Sequence, residues 1–352
     1  MVKILSVVGA RPQFIKAAPV SRALREVGIE EVLVHTGQHY DANMSDIFFS
    51  ELDIPPPYVN LNVGSGSHAQ QTARMMLELE PIMLEQAPHA VLVYGDTNST
   101  LAGALVAAKL GFKLAHVEAG LRSFNRTMPE EYNRILADHS ADLLFCPTQN
   151  AVDLLAREGI MRGVYLVGDT MFDAALQFSE LAQQRSTILQ DLGLTAKNYL
   201  LATVHRPYNT DVPENLASIV RALSDCGEKV IFPVHPRTRQ RIPAVHAPNL
   251  QLIEPLGYLD MLLLEQNARC ILTDSGGVQK EAYFFGVPCL TLRPETEWTE
   301  TLENGWNVLV GADYERILAQ LRVSAPSGAP PPTFGDGRAS QRIAQVLLDL
   351  LA

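Results

Sequence analysis

The sequence predicts an α/β protein built from two doubly wound, Rossmann-like domains. Short, continuously apolar strands such as Ala90–Tyr94 alternate with helices, which is typical of a parallel sheet covered on both faces. The alternation restarts after the polar stretch Ser179–Lys197. A length of 352 residues and a hydrophobic content of 47% suffice for two cores. We therefore assign residues 1–170 and 171–336 to two domains and residues 337–352 to a final helix.

The predicted elements alternate in the same way in both halves. In the first half the strands are Lys3–Val8, Glu31–Thr36, Ala90–Tyr94, Lys113–Val117 and Leu143–Cys146, and the helices are Gln13–Glu26, His68–Gln86, Leu101–Leu110 and Glu130–His139. In the second half the strands are Tyr199–Thr203, Lys229–Pro233, Leu250–Ile253, Cys270–Thr273 and Cys289–Leu292, and the helices are Pro213–Cys226, Leu259–Asn267, Gly277–Phe285 and Ala339–Leu351. Ligands of open α/β sheets bind beyond the carboxyl ends of the strands, so the residues that follow each strand are the candidates.

The amino-acid composition argues against some classes of binding partner and indicates the cellular compartment. The formal net charge of -11 argues against nucleic-acid binding, which needs a basic face. The four cysteines form no C-x-x-C pair and indicate reduced thiols in a cytoplasmic protein. The N-terminus leads straight into a strand without a signal-peptide pattern, and no apolar run reaches the roughly 18 residues of a membrane span. A cytoplasmic protein with no membrane partner is expected.

The turn after the first strand allows two interpretations. Gly9-Ala10-Arg11-Pro12 leads into a helix that contains Lys16. It lacks the G-x-G-x-x-G pattern of dinucleotide sites, so no NAD is expected. A glycine turn lets the backbone approach an anion, and Arg11 can fork onto a phosphate. The same residues also fit a plain strand–helix turn with a surface arginine.

Carboxylates follow neighbouring strands of the first half. Asp96 and Glu118 each come after a strand, and Glu130 and Glu131 open a helix. Asp96 or Thr97 could instead cap the next helix. For one of the two glutamates we expect no catalytic role, only a favourable interaction of its charge with the helix dipole. Desolvated carboxylates that lie close together can act as acid and base near neutral pH, so this edge of the sheet is the candidate for proton transfer.

Histidine and arginine follow two strands of the second half. These are His205-Arg206 and His235-Pro236-Arg237. A lone histidine there is as often structural as catalytic, but the repeated pairing with arginine favours an anion site. The nine histidines show no H-E-x-x-H or other metal-ligand spacing, so no metal site is predicted.

The sharpest pattern is Thr273-Asp274-Ser275-Gly276-Gly277-Val278-Gln279-Lys280-Glu281, in which a strand ends and a helix begins at once. Small residues expose the first backbone N–H groups, and the helix N-terminus favours a diphosphate. Glu281 lies about one turn into the helix, where it could accept hydrogen bonds from ribose hydroxyls. The alternative is a glycine turn before a charged helix.

Together these residues resemble the UDP-N-acetylglucosamine 2-epimerase family, chiefly its non-hydrolysing bacterial branch, over nearly the whole chain. The matching segments are Gly9-Ala10-Arg11-Pro12 with Lys16, Gly95-Asp96-Thr97, His116-Val117-Glu118-Ala119-Gly120-Leu121-Arg122, Pro129-Glu130-Glu131 with Asn133-Arg134, His205-Arg206, His235-Pro236, and Asp274-Ser275-Gly276-Gly277 with Glu281. The resemblance implies a glycosyltransferase-B-like architecture, an active site in the interdomain cleft, a final helix that packs on the first domain, and a homodimer.

The resemblance also implies residue roles. The implied catalytic residues are Asp96, Glu118, Glu130 and His205, and the implied contacts to the UDP-amino sugar are Arg11, Lys16, Arg122, Arg206, His235, Ser275, Gly276, Gly277 and Glu281. The implied chemistry removes the C2 proton, expels UDP to leave a 2-acetamidoglucal, and adds UDP back while a proton reaches the opposite face of C2. It needs no cofactor.

The sequence departs from the family pattern in two places. Tyr208 stands where the family often has glutamate. Segments Gly37-Gln38-His39-Tyr40-Asp41 and Glu295-Thr296-Glu297-Trp298 look more like a sub-branch acting on modified sugars, such as UDP-2,3-diacetamido-glucuronic acid. The alternatives are therefore an epimerase of a modified sugar, a hydrolysing epimerase, a UDP-sugar glycosyltransferase, or a non-catalytic sensor of nucleotide sugars.

Overall fold

The structure is a computed structural model that describes residues 2–38, 52, 54–242 and 247–352, except the side chains at positions 236 and 237. The chain forms two compact units. The first comprises the residues up to Leu176 together with Pro332–Ala352, and the second comprises Gln177–Pro331. The division falls inside the helix Thr170–Arg185. Within the described part, every helix is too short or too polar to cross a membrane.

The first unit contains a seven-stranded sheet in which all neighbours run parallel, in the order β3-β2-β1-β4-β5-β6-β7. Its strands are β1 (Lys3–Val8), β2 (Glu30–His35), β3 (Val59–Asn60), β4 (Ala90–Tyr94), β5 (Lys113–Val117), β6 (Leu143–Cys146) and β7 (Val164–Leu166). The strand order reverses direction between β1 and β4, and a crevice at such a switch point is where doubly wound sheets bind ligands.

The second unit repeats this arrangement with six parallel strands in the order β10-β9-β8-β11-β12-β13. Its strands are β8 (Leu200–Thr203), β9 (Val230–Pro233), β10 (Leu250–Ile253), β11 (Cys270–Thr273), β12 (Cys289–Thr291) and β13 (Asn307–Leu309). Here the switch point lies between β8 and β11, so the segments that begin at Val204 and Asp274 flank it.

Helices cover the sheets. In the first unit they are Arg11–Glu26, His68–Gln86, Asn98–Leu110, Pro129–Ser140, Gln149–Arg157, Thr170–Arg185 and Ala339–Leu351; in the second they are Ile188–Asp191, Pro207–Thr210, Pro213–Asp225, Pro236–Arg239, Tyr258–Asn267, Gly276–Phe284, the 3₁₀ segment Thr299–Gly305 and Tyr314–Leu321. In the second unit, the helix residues Leu216 and Ile219 pack in one apolar cluster. Leu264 and Ala282, from two other helices, pack in a second cluster. The two clusters contain different residues of the same strands. The sheet is therefore apolar on both faces, which explains its continuously hydrophobic strands.

The final helix belongs to the first unit, where it packs against Arg11–Glu26. The carboxylate of Asp173 accepts hydrogen bonds from the backbone N–H groups of Ala339 and Ser340, at 3.1 and 2.7 Å, and from the Ser340 hydroxyl at 2.6 Å. Burial raises the pKa of Asp173, although these three hydrogen bonds oppose the rise. Asp173 thus satisfies the first N–H groups of the helix from a distant position in the sequence.

Several elements were not predicted from the sequence. The helices Gln149–Arg157, Thr170–Arg185 and Tyr314–Leu321 and the strands β7 and β13 were absent from the predicted set. The buried positions of Thr170–Arg185 include Ala174, Ala175 and Ala182, which give only a weak apolar periodicity. In β13, Asn307 is buried and donates to Thr301 at 2.9 Å, so a polar residue occupies a position where the strand pattern favours an apolar one.

Candidate active site

The turn after β1 is shaped by a buried glutamine. Oε1 of Gln13 accepts hydrogen bonds from the backbone N–H groups of Gly9 and Ala10, at 2.8 and 3.1 Å. A Cβ at Gly9 would lie 1.9 Å from the Thr36 hydroxyl and 2.3 Å from the Ser99 hydroxyl. Glycine is therefore required here by packing, and its N–H is already engaged within the protein. This corrects the expectation that the Gly9 turn offers its backbone to an anion; Arg11 remains half-buried at the start of the helix.

A buried ion pair lies beyond the switch point between β1 and β4. Nζ of Lys16 is 2.5 Å from Oε1 of Glu118, and both side chains are less than a tenth exposed. A Cβ at Gly95 would lie 3.1 Å from that Nζ and 3.4 Å from that Oε1, so the pair lies against the turn that carries Asp96. Glu118 has a φ of +68°, in the left-handed region that non-glycine residues rarely adopt. Such strain at a buried ionised group is typical of functional sites.

Asp96 is held by an arginine rather than used as a helix cap. The Thr97 hydroxyl accepts from the backbone N–H of Thr100 and caps the helix Asn98–Leu110. The Asp96 carboxylate instead pairs with Arg134, whose guanidinium is buried and also donates to Glu131 at 2.9 Å. The Asp96 side chain remains 31% exposed. The Asp96 carboxylate is therefore held in one orientation and remains accessible to solvent, whereas the Arg134 side chain is buried.

The two glutamates that open the helix Pro129–Ser140 have different environments. Glu131 is buried and accepts hydrogen bonds from the N–H and hydroxyl of Ser123 at 2.9 and 2.7 Å and from the N–H of Phe124 at 2.9 Å. It therefore organises the loop before the helix and orients Arg134. Glu130 is half-buried on the first turn. The expectation that one of the pair is structural thus falls on Glu131.

Arg122 is enclosed by carboxylates of its own unit. Its guanidinium is buried and donates to Asp138 at 2.6 Å and to Glu158 at 2.7 and 2.8 Å, and it also donates to the backbone of Leu121. Burial lowers the pKa of Arg122, but these acceptors outweigh it and raise the pKa overall. We therefore assign Arg122 a structural role instead of the implied substrate contact.

In the second unit, a buried aspartate organises the loop after β8. The Asp274 carboxylate accepts from the backbone N–H groups of His205 and Arg206 at 3.0 to 3.1 Å and from Asn209 at 3.0 Å. It also lies 2.8 Å from Nδ1 of His205, whose side chain is 52% exposed. Burial raises the pKa of Asp274, but the hydrogen bonds and charge of His205, with Asn209 and the Arg206 backbone, outweigh it and lower the pKa. An Asp–His contact of this kind fixes the imidazole and leaves Nε2 for a ligand.

The helix Gly276–Phe284 begins directly after β11, as predicted to within one residue. Oγ of Ser275 caps it by accepting from the N–H of Val278 at 3.4 Å. A Cβ at Gly276 would lie 2.7 Å from Oε1 of Glu297 and 3.1 Å from Nε1 of Trp298, so only glycine fits. The start of this helix has the positive end of the dipole and the bare backbone that a phosphate needs.

The remaining predicted residues of the second unit lie in distinct environments. Glu281 is buried on the helix that starts at Gly276, and Oε1 accepts from the hydroxyl of Tyr258 at 2.9 Å. Arg206 is half-buried and His235 is exposed after β9. Tyr208 lines a cavity of about 490 Å³ together with Arg293 and other residues. Of the segment 37–41, His39–Asp41 lie outside the described residues.

Sequence reasoning missed the roles of four residues: Arg134 and Asp274 stood in the quoted motifs without a role, Asp138 stood outside the motifs, and Lys16 was assigned to the substrate and not to Glu118. Asp274 was detectable, because it directly follows β11 at the same edge as Ser275. The others were not, since their partners are far away in the sequence. Lys16 and Glu118 are 102 positions apart, and Arg134 and Asp96 are 38 positions apart.

The chain is similar to a well-defined set of proteins. A family model described as UDP-N-acetylglucosamine 2-epimerase matches residues 22–348. A relative from Methanococcus maripaludis, a "UDP-N-acetylglucosamine 2-epimerase homolog", is 53% identical over 99% of this chain and 100% of its own length. A "UDP-2,3-diacetamido-2,3-dideoxy-D-glucuronate 2-epimerase" from Pseudomonas aeruginosa is 51% identical over the same shares.

A solved structure agrees with these matches. The Methanocaldococcus jannaschii UDP-GlcNAc 2-epimerase, crystallised with UDP-GlcNAc and UDP, aligns with a TM-score of 0.92 at 43% identity, covering 99% of this chain and 100% of the other. The two Rossmann-like, doubly wound units are thus of the glycosyltransferase-B-like type that the sequence predicted.

Proposed function

Because the chain belongs to the UDP-N-acetylglucosamine 2-epimerase family, we propose that it inverts C2 of a UDP-activated 2-acetamido sugar without hydrolysing it. One observation carries the proposal. Asp96 and Glu118, each paired with a buried cation, follow the neighbouring strands β4 and β5, next to the switch point of the first unit. No such pair of oriented carboxylates is needed to bind a nucleotide, whereas proton transfer at carbon requires one.

We propose that the diphosphate binds at the start of the helix Gly276–Phe284, with Ser275 and Gly277 beside Gly276. Glu281, which is held by a hydrogen bond from the Tyr258 hydroxyl, accepts hydrogen bonds from the ribose hydroxyls. Arg206, His235 and Arg11 contact the diphosphate, and Asp96, Glu118 and Glu130 act on the hexose.

The proposed reaction has two balanced stages. A carboxylate accepts the C2 proton, the C1–O bond breaks, and its electron pair leaves with UDP, so that a 2-acetamidoglucal forms. UDP then attacks C1 again while a proton is delivered to the opposite face of C2. Lys16 orients Glu118 and Arg134 orients Asp96, so two differently placed carboxylates can serve the two faces. The imidazole of His205, held by Asp274, lies on the diphosphate side, where it can donate to the leaving oxygen.

Two sugars are candidates for the substrate. UDP-GlcNAc, interconverted with UDP-ManNAc, is supported by the archaeal relative whose crystals contain UDP-GlcNAc. UDP-2,3-diacetamido-2,3-dideoxy-glucuronic acid is supported by the Pseudomonas relative, which at 51% identity is more similar than the 44% relatives named for UDP-GlcNAc. The resemblance of residues 37–41 and 295–298 to the sub-branch acting on modified sugars also favours this second substrate.

The test is exchange of the C2 hydrogen. Each UDP-sugar is incubated with the protein in deuterated water and followed by NMR. We expect deuterium at C2 of both epimers of one of the two sugars, with UDP remaining attached. Stoichiometric free UDP with a free 2-epimerised sugar would indicate a hydrolysing enzyme instead. Release of UDP only when an acceptor is added would indicate a glycosyltransferase.

We further propose that the protein is a cytoplasmic homodimer. The four cysteines are free thiols, as in a reducing compartment. The helices His68–Gln86, Asn98–Leu110 and Pro129–Ser140 pack side by side in the first unit. On the two outer helices, Leu77, Leu84, Tyr132 and Leu136 are exposed, and an apolar surface of this kind is typical of a protein–protein interface.

A further inference from the structure

A histidine buried next to the two predicted catalytic turns has an environment that determines its protonation. His116, on β5, is completely buried. Its Nε2 lies 2.7 Å from the carbonyl oxygen of Gly95, and its Nδ1 lies 2.7 Å from Oδ1 of Asp138. A carbonyl oxygen can only accept a hydrogen bond, so Nε2 carries hydrogen.

The partner of Nδ1, the Asp138 carboxylate, also only accepts hydrogen bonds. The other oxygen of Asp138 accepts from the N–H of Gly120 at 3.1 Å and from Arg122 at 2.6 Å. A buried guanidinium and a backbone N–H that both donate to this carboxylate favour its ionised form, so Asp138 is an anion. An ionised carboxylate has no hydrogen to donate, and Nδ1 must therefore carry one as well. Asp138 and the more exposed Glu158 then balance the charges of His116 and Arg122, which makes the burial of these two cations tolerable.

The cluster connects the backbone on both sides of the predicted catalytic carboxylates. His116 holds the carbonyl of Gly95, the residue before Asp96. Asp138 holds the N–H of Gly120, two residues after Glu118. We propose that His116 carries hydrogen on both ring nitrogens and, with Asp138 as its counter-ion, positions the turns of Asp96 and Glu118. The positioning role rests on the proposed function, whereas the charge of His116 does not.

The charge is tested by NMR on the intact protein labelled with ¹⁵N-histidine, near neutral pH. The variant His116→Gln identifies the His116 signals by their loss. We expect hydrogen on both ring nitrogens of His116. In Asp138→Asn, the amide can donate to Nδ1, so we expect hydrogen on Nε2 alone. Wild-type His116 with a single protonated nitrogen would overturn the proposal.

The positioning role is tested by a pair of compensating substitutions. In His116→Gln, the amide can donate to Gly95, but its oxygen then faces the Asp138 carboxylate. We expect kcat to fall about 100-fold with little change in KM, the scale on which small misplacements of reacting groups act. In His116→Gln with Asp138→Asn, the asparagine amide donates to the glutamine oxygen while its oxygen still serves Gly120. We expect the double variant to recover at least about tenfold in kcat, because contacting residues couple.

Backbone hydrogen exchange, followed by mass spectrometry, gives a readout independent of activity. We expect faster exchange at residues 95–97 and 118–120 in His116→Gln than in wild type, and a return toward wild type in the double variant. Urea midpoints and UDP affinity show whether the variants remain folded. A double variant no better than His116→Gln in either assay would overturn the positioning role. If the wild-type protein exchanged no C2 hydrogen, the proposed function would fail, while the NMR and exchange measurements would still decide this inference.

Discussion

Asp96 and Glu118 are oriented by different cations, which come from two different helices. Arg134 comes from the helix Pro129–Ser140, and Lys16 comes from the helix Arg11–Glu26. Each carboxylate is therefore fixed by a residue remote in sequence. This arrangement leads us to expect that the neutral isosteres lose proton transfer rather than folding.

We predict that Asp96→Asn and Glu118→Gln each lower kcat by at least about 100-fold, because an amide cannot accept the C2 proton. UDP affinity should be unchanged, since the proposed diphosphate site is in the other unit. Deuterium incorporation at C2 measures the first effect and calorimetric titration with UDP the second. Asp153→Asn, at an exposed carboxylate, is the control and should retain activity. Normal exchange in both active-site variants would contradict the assignment.

Gly276→Ala tests the phosphate site by adding one methyl group at the helix start. The new methyl would lie 2.7 Å from Oε1 of Glu297, which is held by Arg293 at 2.9 Å, so either the helix start or this ion pair must shift. We predict that UDP affinity falls by at least about tenfold, the loss expected for a backbone site at a helix N-terminus that is no longer accessible. Gly66→Ala is the matched control, because a Cβ there makes only ordinary contacts of 3.8 Å or more. Unchanged UDP affinity in Gly276→Ala would remove the helix start from the site.

At the scale of elements, the start of the final helix is capped by the carboxylate of Asp173, which belongs to an earlier helix. Asp173→Ala removes three hydrogen-bond acceptor contacts at Ala339 and Ser340. We predict a loss of about 1 kcal/mol, typical of losing a helix cap, with faster hydrogen exchange concentrated in residues 339–351. Asp349→Ala, near the exposed end of the same helix, should change neither quantity noticeably. Exchange that increases equally throughout the first unit would indicate a different role for Asp173.

The loops after β8 and β11 should also make stability depend on pH. The folded pKa of Asp274 lies below the unfolded value of about 3.9, and the same holds for Asp138. Their ionised forms stabilise the fold above about pH 4, and this contribution is lost as the pH falls through the folded pKa values. We predict a urea midpoint that declines below about pH 4. Asp274→Asn should be less stable at pH 7 and show a shallower decline; an identical slope would contradict the role of Asp274.

At the scale of the whole molecule, we predict that Leu77→Glu weakens self-association. A charge in the centre of an apolar interface is left unpaired and desolvated, which costs several kcal/mol. Sedimentation velocity should show a dimer for the wild-type protein and a larger monomer fraction for the variant at equal concentration. Met161→Glu is the control, since Met161 is also strongly exposed but lies outside the three packed helices. A wild-type monomer would contradict the proposed homodimer.

The sequence alone determined the two parallel sheets, because the apolar strand pattern and the glycine turns are local signals. It also placed Asp96, Glu118, His205 and Ser275 at strand ends, since the order of strands and helices is written along the chain. The ordered motifs also indicated the family, which the comparisons then confirmed.

Only the tertiary structure decided how each polar group is used. It assigned the cap to Thr97 instead of Asp96, the structural role to Glu131, and the Gly9 amide to Gln13. It also enclosed Arg122 among carboxylates and brought His116 between two acceptors. These outcomes depend on which donors and acceptors meet after the chain has folded. Even partners four residues apart, such as Gly9 and Gln13, compete with other donors and acceptors, and partners 36 residues apart, such as Arg122 and Glu158, leave no local pattern that predicts their pairing.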